Sequence, residues 1–348
     1  MPSPIRTLHA TCHCRTSALS FTLPRASLPL PVHFCHCSIC RKTHGTLFSA
    51  HAPIPCPDAN LDAMSSYKSS DHVTKWFCKT CGAHMLDRVN RGDVSKWYVA
   101  VSLVDAEEEV WKYTGHHFVE GTADGGLAVM LRKIGSVEMG VWKERRLEGV
   151  EVEEKGDWSL EEDMKNIGKR EDEDMLRARC HCRAVDFWIF SPDGGTGVKL
   201  LLTKNTLKWS GRHCACNSCR TTTSSFISSW IKVPISALKA KDKTIVASSE
   251  QALFGTTYQS AKGVSRTFCA VCGTSVSYRR EEEARVLQIA AGLLEGRGAR
   301  MESHIAWLTE VHNMEGAIQL QACQAFEMGF GGDGSRSFPR CDRAACPT

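Results

Sequence analysis

The chain has 348 residues, of which 42% are hydrophobic and 24% are charged. These fractions are typical of a globular protein, and the length suggests about two domains. No run of about 18 apolar residues occurs, so the sequence contains no candidate transmembrane helix. The formal net charge is +4 with no block of clustered Lys and Arg, which argues against a nucleic acid as partner.

The first residues, MPSPIRTLHATCHC, contain prolines where a secretory signal would need an uninterrupted apolar stretch. We therefore expect no signal peptide and a cytoplasmic or nuclear location. The chain contains 18 cysteines. In a reducing compartment, so many thiols favour metal binding or thiol chemistry over a framework of disulfides.

In chain order, the apolar and β-branched runs predict strands more often than helices. These runs are ALSFTL after Cys14, KWYVAVSLV at 96–104, FISSWIKV at 226–233 and RVLQIAAGLL at 285–294. Each run is bounded by turn residues, as strands usually are. The sequence therefore predicts a mainly β protein with little helix.

The order of the cysteines shows that the chain repeats itself. A C-x-C pair, a C-x-C-x-x-C triplet and a C-x-x-C pair followed by Gly occur in this order in both halves. Because all three spacings recur together, we predict a duplicated domain. The cysteines of the first half are Cys12, Cys14, Cys35, Cys37, Cys40, Cys78 and Cys81, and those of the second half are Cys180, Cys182, Cys214, Cys216, Cys219, Cys269 and Cys272.

The spacing divides each set of seven thiols into two groups. The two pairs together supply four thiolates, the closed tetrahedral shell that structural zinc prefers. The triplet supplies three, and three ligands with an open position are typical of catalytic zinc. Arg41 and Arg220 follow the last thiol of each triplet and would offset its negative charge. The alternative, in which all seven thiols form one site without turnover, stays open.

Three histidines occupy the middle position of a C-x-C motif, namely His13, His36 and His181. We expect them to be exposed residues of the turns and not ligands, because four thiolates already complete a zinc shell.

Charge and composition set the domain boundaries at 5–145 and 176–330. Between them, residues 148–174 carry 12 acidic and four basic side chains. This composition predicts that 146–175 is a solvated acidic linker, because like charges repel and few apolar groups are available to pack. The Gly-rich end, 331–348, is predicted to be disordered.

The order C-H-C, C-H-C-x-x-C-R and F-C-x-x-C-G in the first half resembles the glutathione-dependent formaldehyde-activating enzyme and centromere protein V family. The resemblance extends to the second half and implies two tandem zinc-stapled β-tent domains. By position, the structural zinc ligands would be Cys12, Cys14, Cys78 and Cys81, and Cys180, Cys182, Cys269 and Cys272. The catalytic triplets would be Cys35, Cys37 and Cys40, and Cys214, Cys216 and Cys219.

The resemblance also implies an activity, that of a carbon–sulfur lyase that joins glutathione and formaldehyde and can reverse the reaction. Zinc in the triplet would bind the glutathione sulfur or polarise the aldehyde oxygen. Arg41, Lys42 and Arg220 are candidates to bind the carboxylates of glutathione, as the cationic groups nearest the triplets in sequence. The electrophile stays open, because a fold does not determine a substrate.

The second triplet departs from the first, since CACNSCRTTTSSF lacks the His and Gly of CHCSICRKTHGTLF. If one copy is inactive, we expect it to be the second. Two other functions stay open. One is a non-catalytic zinc module for protein or chromatin binding, as in the centromere branch of the family. The other is a thiol redox or zinc-buffering protein, because crowded thiolates oxidise readily.

Overall fold

A computed structural model describes residues 4–144, 175–190, 208–242 and 254–330. Residues 146–174 of the predicted linker and the predicted disordered end at 331–348 lie outside the described residues. Strands dominate the described part, as the sequence predicts.

The first copy contains a short helix between its third and fourth strands. Its strands are β1 (Ile5–Thr11), β2 (Ala18–Pro24), β3 (Leu30–Cys35), β4 (Ser49–Ile54), β5 (Asp58–Ala59), β6 (Met64–Lys68), β7 (Val73–Cys78), β8 (His84–Arg91), β9 (Val94–Ala100), β10 (Trp111–His117), β11 (Lys133–Ile134), β12 (Val137–Glu138) and β13 (Gly140–Val141). The helix α1 is Ser38–His44, and the 3₁₀ turns are Arg25–Ser27, Leu61–Ala63, Val101–Leu103, Glu108–Val110, Glu120–Thr122 and Gly126–Val129.

The second copy places a helix at the same point. Its strands are β14 (Met175–Arg179), β15 (Asp186–Phe190), β16 (Trp209–Cys214), β17 (Ser228–Pro234), β18 (Leu238–Ala240), β19 (Thr256–Ala261), β20 (Val264–Phe268), β21 (Ser275–Arg280), β22 (Val286–Ala290), β23 (Leu294–Glu295) and β24 (Ile305–His312). The helices are α2 (Asn217–Thr223) and α3 (Leu320–Phe330), and the 3₁₀ turns are Ile235–Ala237, Glu281–Glu283, Ala291–Leu293 and Met314–Gly316.

The main sheets of the two copies have the same topology, which confirms the duplication. In the first copy, the order is β13-β10-β3-β4-β9-β8-β7-β6, and in the second it is β24-β16-β17-β22-β21-β20-β19. The seven strands of the second order match, one by one, the seven strands of the first order from β10 to β6. In both sheets the strand that ends at the first thiol of the triplet pairs in parallel with the last long strand, β3 with β10 and β16 with β24.

The smaller sheets position the C-x-C pairs. In the first copy the sheet is β1-β2-β5, and in the second it is β18-β15-β14-β23. The strand before each C-x-C, β1 or β14, pairs antiparallel with the strand after it. Each C-x-C therefore lies in the turn of a hairpin.

The predicted strands are present, but two of them end earlier than the sequence suggests. The run at 96–104 leaves the sheet after Ala100, where a 3₁₀ turn begins at Val101, and the run at 285–294 does the same after Ala290. The residues beyond these points stay buried. These residues are apolar because they are buried in a turn, although their sequence is typical of a strand.

One hydrophobic core joins the two copies. The Phe226 ring of the second copy lies 5.6 Å from the Phe34 ring and 5.2 Å from the Phe48 ring of the first, measured between centroids. Such ring pairs stabilise a packed interface by about 0.5–1.5 kcal/mol each beyond the area that they bury. Among the helices of the described residues, none is long and apolar enough to cross a bilayer.

Candidate metal centres

The two outer pairs of the first copy meet to form a closed group of four thiols. Cys12 and Cys14 follow β1, Cys78 ends β7, and Cys81 lies in the turn before β8. The sulfur atoms of Cys12 and Cys14 are 3.4 Å apart, and those of Cys14 and Cys78 are 3.5 Å apart. Thiolates around a tetrahedral zinc ion, with zinc–sulfur bonds of about 2.3 Å, lie about 3.8 Å from one another. The group therefore fits zinc.

The second copy contains the matching group. The sulfur of Cys182 lies 3.4 Å from that of Cys180 and 3.5 Å from that of Cys269, and the distance from Cys180 to Cys269 is 3.8 Å. Cys272 completes the set, and all four sulfur atoms lie within 4.8 Å of one another. None of the described cysteines forms a disulfide.

Four thiols this close cannot all ionise without a cation. A hydrogen bond with Cys78, together with burial, raises the pKa of Cys12 to about 11. Hydrogen bonds from Cys12 and Cys81 lower the pKa of Cys78 well below its ordinary value. One thiol thus keeps its proton so that its neighbour can lose one. A bound divalent cation removes this conflict, because metal ligation deprotonates every thiol of the set.

Gly82 and Gly273 close the turn after each C-x-x-C pair. Their φ angles are +76° and +73°, a region that glycine enters without strain. A Cβ at Gly82 would lie 2.6 Å from the Cγ of Phe268, and one at Gly273 would lie 2.5 Å from the Cγ of Phe77. Each thiol turn therefore packs against the aromatic residue that precedes the C-x-x-C of the other copy.

The C-x-C histidines also connect the copies. The Tyr258 hydroxyl lies 2.7 Å from His13 Nδ1, and the Tyr67 hydroxyl lies 2.7 Å from His181 Nδ1. Both histidines are half-buried. The expectation that His36 is exposed is wrong, since this side chain is fully buried and its Nε2 lies 2.9 Å from His116 Nδ1. The strand β10 covers it, a long-range pairing that local spacing does not reveal.

The first triplet is built where β3 passes into α1. Cys35 ends the strand, Cys37 is the N-cap of the helix, and Cys40 lies in its first turn. The sulfur atoms of Cys35 and Cys37 are 3.4 Å apart. The backbone amide of Cys40 donates to Cys37 Sγ at 3.4 Å. The cap bond holds the turn that brings the three thiols together.

The second triplet repeats this geometry. Cys214 ends β16, and Cys216 is the N-cap of α2 and accepts from the amide of Cys219 at 3.4 Å. In each triplet the three sulfur atoms lie within 4.8 Å of one another. Among the residues that the structure describes, no fourth Cys, His, Asp or Glu joins either group at this distance. Each triplet thus offers three donors, which leaves a fourth position for an outside ligand.

The thiols of the two triplets differ in exposure. In the first triplet, Cys37 and Cys40 are both half-buried. In the second, Cys216 is half-buried but Cys219 is only 2% exposed. The last thiol is therefore accessible in the first copy alone.

Buried polar side chains surround the first triplet on the side of Cys40. Lys75 Nζ donates to Asp87 Oδ2 at 2.5 Å, and His51 Nε2 lies 3.7 Å from the same oxygen. Although burial opposes its charge, Asp87 raises the pKa of Lys75 above its ordinary value. Burial, followed by the charge on Lys75, lowers the pKa of His51 to about 3 and that of His84 to about 4. Near neutral pH the lysine is charged and the two imidazoles are neutral.

The corresponding space in the second copy is filled by an arginine between aromatic rings. Arg266 Nη2 donates to Cys219 Sγ at 3.4 Å. Its guanidinium lies 5.0 Å from the Tyr278 ring and 5.9 Å from the Trp230 ring. Hydrogen bonds from Cys214 and the other triplet thiol, with the charge of Arg266, lower the pKa of Cys219 despite its burial. This thiolate already has a cation of the protein beside it.

The arginines that follow the triplets donate hydrogen bonds to oxygen atoms of the protein. Arg41 Nε donates to the His36 carbonyl at 3.1 Å, and its Nη2 donates to the Gly121 carbonyl at 3.4 Å. Arg220 donates to the carbonyl of Ser102 and, at 2.6 Å, to the Oδ1 of the nearby Asn217. Both side chains are 8% exposed. Glutathione binding by these two residues stays a prediction.

Reasoning from the sequence missed four residues around the triplets, namely Lys75, His84, Asp87 and Arg266. The signal for them is present, because Lys75 and Arg266 each lie three residues before the first cysteine of a C-x-x-C pair. Aligning the copies on this pair also matches His84 with Ser275, and Asp87 with Tyr278. A comparison restricted to cysteines passes over these differences.

A family model described as glutathione-dependent formaldehyde-activating enzyme matches this chain twice, over residues 7–121 and 196–310. The two matches together cover more than half of the chain, and each includes one triplet. They correspond to the two copies seen in the sheet topology.

Curated fungal proteins are similar to part of the chain, and each is provisionally named a glutathione-dependent formaldehyde-activating enzyme. One from Talaromyces marneffei is 34% identical over 23% of this chain and 44% of its own length. One from Phaeosphaeria nodorum is 33% identical over 28% of this chain and 53% of its own length. One from Penicillium rubens is 28% identical over 29% of this chain and 54% of its own length. The chain thus spans about half the length of the curated relatives that it matches.

Among solved structures, a crystal structure of a Rhodobacter sphaeroides protein is similar over 38% of this chain and 99% of that protein. The sequence identity is 21% and the TM-score is 0.25.

Proposed function

The chain belongs to the glutathione-dependent formaldehyde-activating enzyme family, and from this membership we propose that it is a zinc-dependent carbon–sulfur lyase. It joins the thiol of glutathione to formaldehyde or to another small electrophile, and it releases the two in the reverse direction. The observation that carries the proposal is the triplet of converging thiols. Two of the three thiols are half-buried in the first copy. Among the described residues, no fourth protein donor lies within ligand distance of either triplet.

The reaction balances without an oxidant or a reductant. The glutathione sulfur forms a bond to the carbonyl carbon, and the π electrons of the carbonyl move to its oxygen. The proton of the thiol ends on that oxygen, so the product carries a hydroxyl group. In reverse the carbon–sulfur bond breaks and the proton returns to sulfur.

The residues present fit the metal that the family implies. The four-thiol groups would hold structural zinc, and Cys35, Cys37 and Cys40 would hold a zinc with a position left for substrate. When bound there, zinc supplies a Lewis acid that stabilises a thiolate or polarises a carbonyl oxygen. The chain itself holds the two reactants side by side, which is the largest contribution that a two-substrate addition needs.

The charged groups near the first triplet suit an anionic thiol. Lys75 is 1% exposed and keeps its charge beside Asp87. A buried cation near three thiolates reduces their mutual repulsion, an effect that is stronger away from water. For Arg41 or Arg220 to bind glutathione, each would have to exchange a backbone oxygen for a carboxylate of the substrate. Lys42 is paired with Glu295 and would face the same exchange.

Exchange spectroscopy tests the proposal. NMR follows magnetisation transfer between free glutathione and S-hydroxymethylglutathione in the presence of formaldehyde, with and without zinc-loaded protein. We expect the protein to raise the exchange rate above the buffer rate in proportion to its concentration. A panel of other small aldehydes identifies the preferred electrophile. An exchange rate equal to that of buffer with every electrophile would reject the lyase and leave a zinc-binding module.

A further inference from the structure

The two triplets have the same thiol geometry but opposite surroundings. We propose that the first triplet alone carries the reaction, that the acceptor cluster of His44, His84 and Asp87 receives the hydroxyl group of the carbon–sulfur adduct, and that Arg266 closes the second triplet. This inference rests on the proposed lyase function and assigns its reacting site and the residues that recognise the adduct.

Several buried side-chain atoms of the first copy have no hydrogen-bond partner within the described residues, and three of them are acceptors on neighbouring side chains. The three acceptors are His44 Nε2, His84 Nδ1 and Asp87 Oδ1. These side chains are 0%, 2% and 7% exposed. An unpartnered buried acceptor costs about 1–3 kcal/mol, so three of them on neighbouring side chains indicate a place for bound donors.

The tautomers of the two histidines follow from their partners. The other nitrogen of His44, Nδ1, lies 3.1 Å from the carbonyl of Thr223, and His84 Nε2 lies 3.0 Å from the carbonyl of Cys272. A carbonyl oxygen only accepts, so both of these nitrogens carry the proton. The unpartnered nitrogen of each ring is then a lone-pair acceptor.

These acceptors lie together beside the accessible thiol of the triplet. The His44 ring centroid is 4.8 Å from that of His84 and 5.2 Å from that of His51. His51 Nε2 in turn lies 3.7 Å from the Asp87 carboxylate. His44 follows Cys40 by four residues in α1, so the two side chains lie on the same face of that helix.

The adduct supplies one donor to this cluster. The product of the proposed reaction carries one hydroxyl on the carbon bound to sulfur, whereas formaldehyde and thioethers carry no hydroxyl. A pocket of acceptors beside a sulfur-binding position therefore recognises the sulfur–CH₂–OH group. Sites that pair a buried polar group with a substrate hydroxyl discriminate strongly against analogues without it.

The side chains at the same positions in the second copy already have hydrogen-bond partners. Thr223 Oγ1 and Ser275 Oγ replace the two histidines, and each hydroxyl donates to a backbone carbonyl, at 3.0 Å and 3.1 Å. Trp230 Nε1 and Arg266 Nη1, on two neighbouring side chains, also lack partners among the described residues, and both are donors. Arg266 also bonds to Cys219 Sγ, so the side of the thiol that is free in the first copy is covered.

The second copy still contributes to the first site. The carbonyl groups of Thr223 and Cys272 fix the two histidine rings, and both belong to the second copy. The last turn of α2 and the second C-x-x-C turn therefore orient the acceptors of the first triplet. The geometry of the first site therefore depends on the second copy.

Binding stoichiometry tests the inference without mutation. Cobalt(II)-loaded full-length protein is titrated with glutathione while the absorption bands of the metal and the heat of binding are followed. We expect one glutathione per chain, bound at the first triplet. Two equivalent glutathione molecules per chain would overturn the inference.

Matched variants test the acceptors. The changes His44→Thr and His84→Ser install the residues of the second copy. The controls are Ser275→Ala, at the position equivalent to His84, and Thr222→Ala, next to the position equivalent to His44. We expect each histidine variant to lower the exchange rate at saturating glutathione about tenfold, the effect of about 1.4 kcal/mol, with unchanged glutathione affinity. The controls should stay within twofold of the wild type.

A conservative variant separates recognition from structural damage. His84→Gln keeps a donor for Cys272 and an acceptor for the adduct, so it should recover most of the exchange rate that His84→Ser loses. Equal losses in both, or equal losses in the controls, would show that the histidines act only through packing. If wild-type protein binds one glutathione but does not accelerate exchange, the lyase proposal fails. If it accelerates exchange and the histidine variants match it, only the present inference fails.

Discussion

Removing the charge of Lys75 should destabilise the protein far more than a surface substitution would. In a Lys75→Met variant the Asp87 carboxylate stays 7% exposed and loses its 2.5 Å hydrogen bond. Its other oxygen has no partner among the described residues, and the nearby imidazole of His51 is neutral at pH 7. Breaking a buried ion pair in this way costs about 3–5 kcal/mol.

This loss can be expressed as a shift in melting temperature. The entropy of unfolding is about 2.1 cal/mol/K per residue, or about 0.7 kcal/mol/K for the 348 residues of this chain. A loss of 3–5 kcal/mol then lowers the melting temperature by about 4–7 °C. Differential scanning calorimetry at pH 7 and fixed zinc concentration measures the shift, and metal analysis of each sample verifies that zinc is retained.

The double variant Lys75→Met with Asp87→Leu is the control. Replacing both members of a buried ion pair by apolar residues is often neutral or stabilising, so the double variant should melt within about 2 °C of the wild type. A single variant that melts like the wild type would refute the reasoning. A double variant whose loss of stability equals the sum of the losses in the two single variants would also refute the reasoning.

Three further predictions concern pH, the turns and the closed sites. The pKa of His51 is about 3 in the folded protein and about 6.5 in the unfolded protein. Below pH 6.5 the unfolded state therefore binds a proton at His51 that the folded state does not bind, and the unfolding free energy of the wild type falls. Denaturant titrations give the unfolding free energies of wild type and His51→Gln. The wild-type value should fall by about 2 kcal/mol more than that of the variant between pH 6.5 and 5, and an equal pH dependence of both proteins would contradict this. By the same assay, Gly82→Ala should lower the unfolding free energy by at least about 1 kcal/mol more than Gly92→Ala. Both glycines have positive φ, but only Gly82 lies against a ring of the second copy. Equal losses in the two variants would argue against the contact. Cys14→Ser should release about one zinc per chain and lower the melting temperature, whereas Cys56→Ser, outside every thiol group and exposed, should change neither.

The cysteine spacing predicts the thiol groups because each pair or triplet is local. A C-x-C or C-x-x-C turn brings its two thiols together in almost any hairpin, and the number of thiols then shows that two such pairs are needed to complete a zinc shell. The duplication was predicted for the same reason, and the common strand order of the two main sheets confirms it. The apolar runs predicted strands correctly where they alternate within a sheet.

The contents of the pocket could not be predicted in this way. His44, Lys75 and His84 come from α1, β7 and β8, and they meet only because β4, β9, β8 and β7 are neighbours in the sheet and the second copy covers them. Such contacts depend on strand order and on the docking of the copies, which no short pattern encodes. The burial of His36 against β10 escaped prediction for the same reason.

Zinc analysis of protein purified under reducing conditions, without added metal, tests most directly whether the seven thiols of each copy form two separate sites. Two closed groups and two triplets predict about four zinc ions per chain in the wild type and about three in a Cys37→Ser variant. About two zinc ions per chain in both proteins would contradict the assignment, because the triplets would then hold no metal.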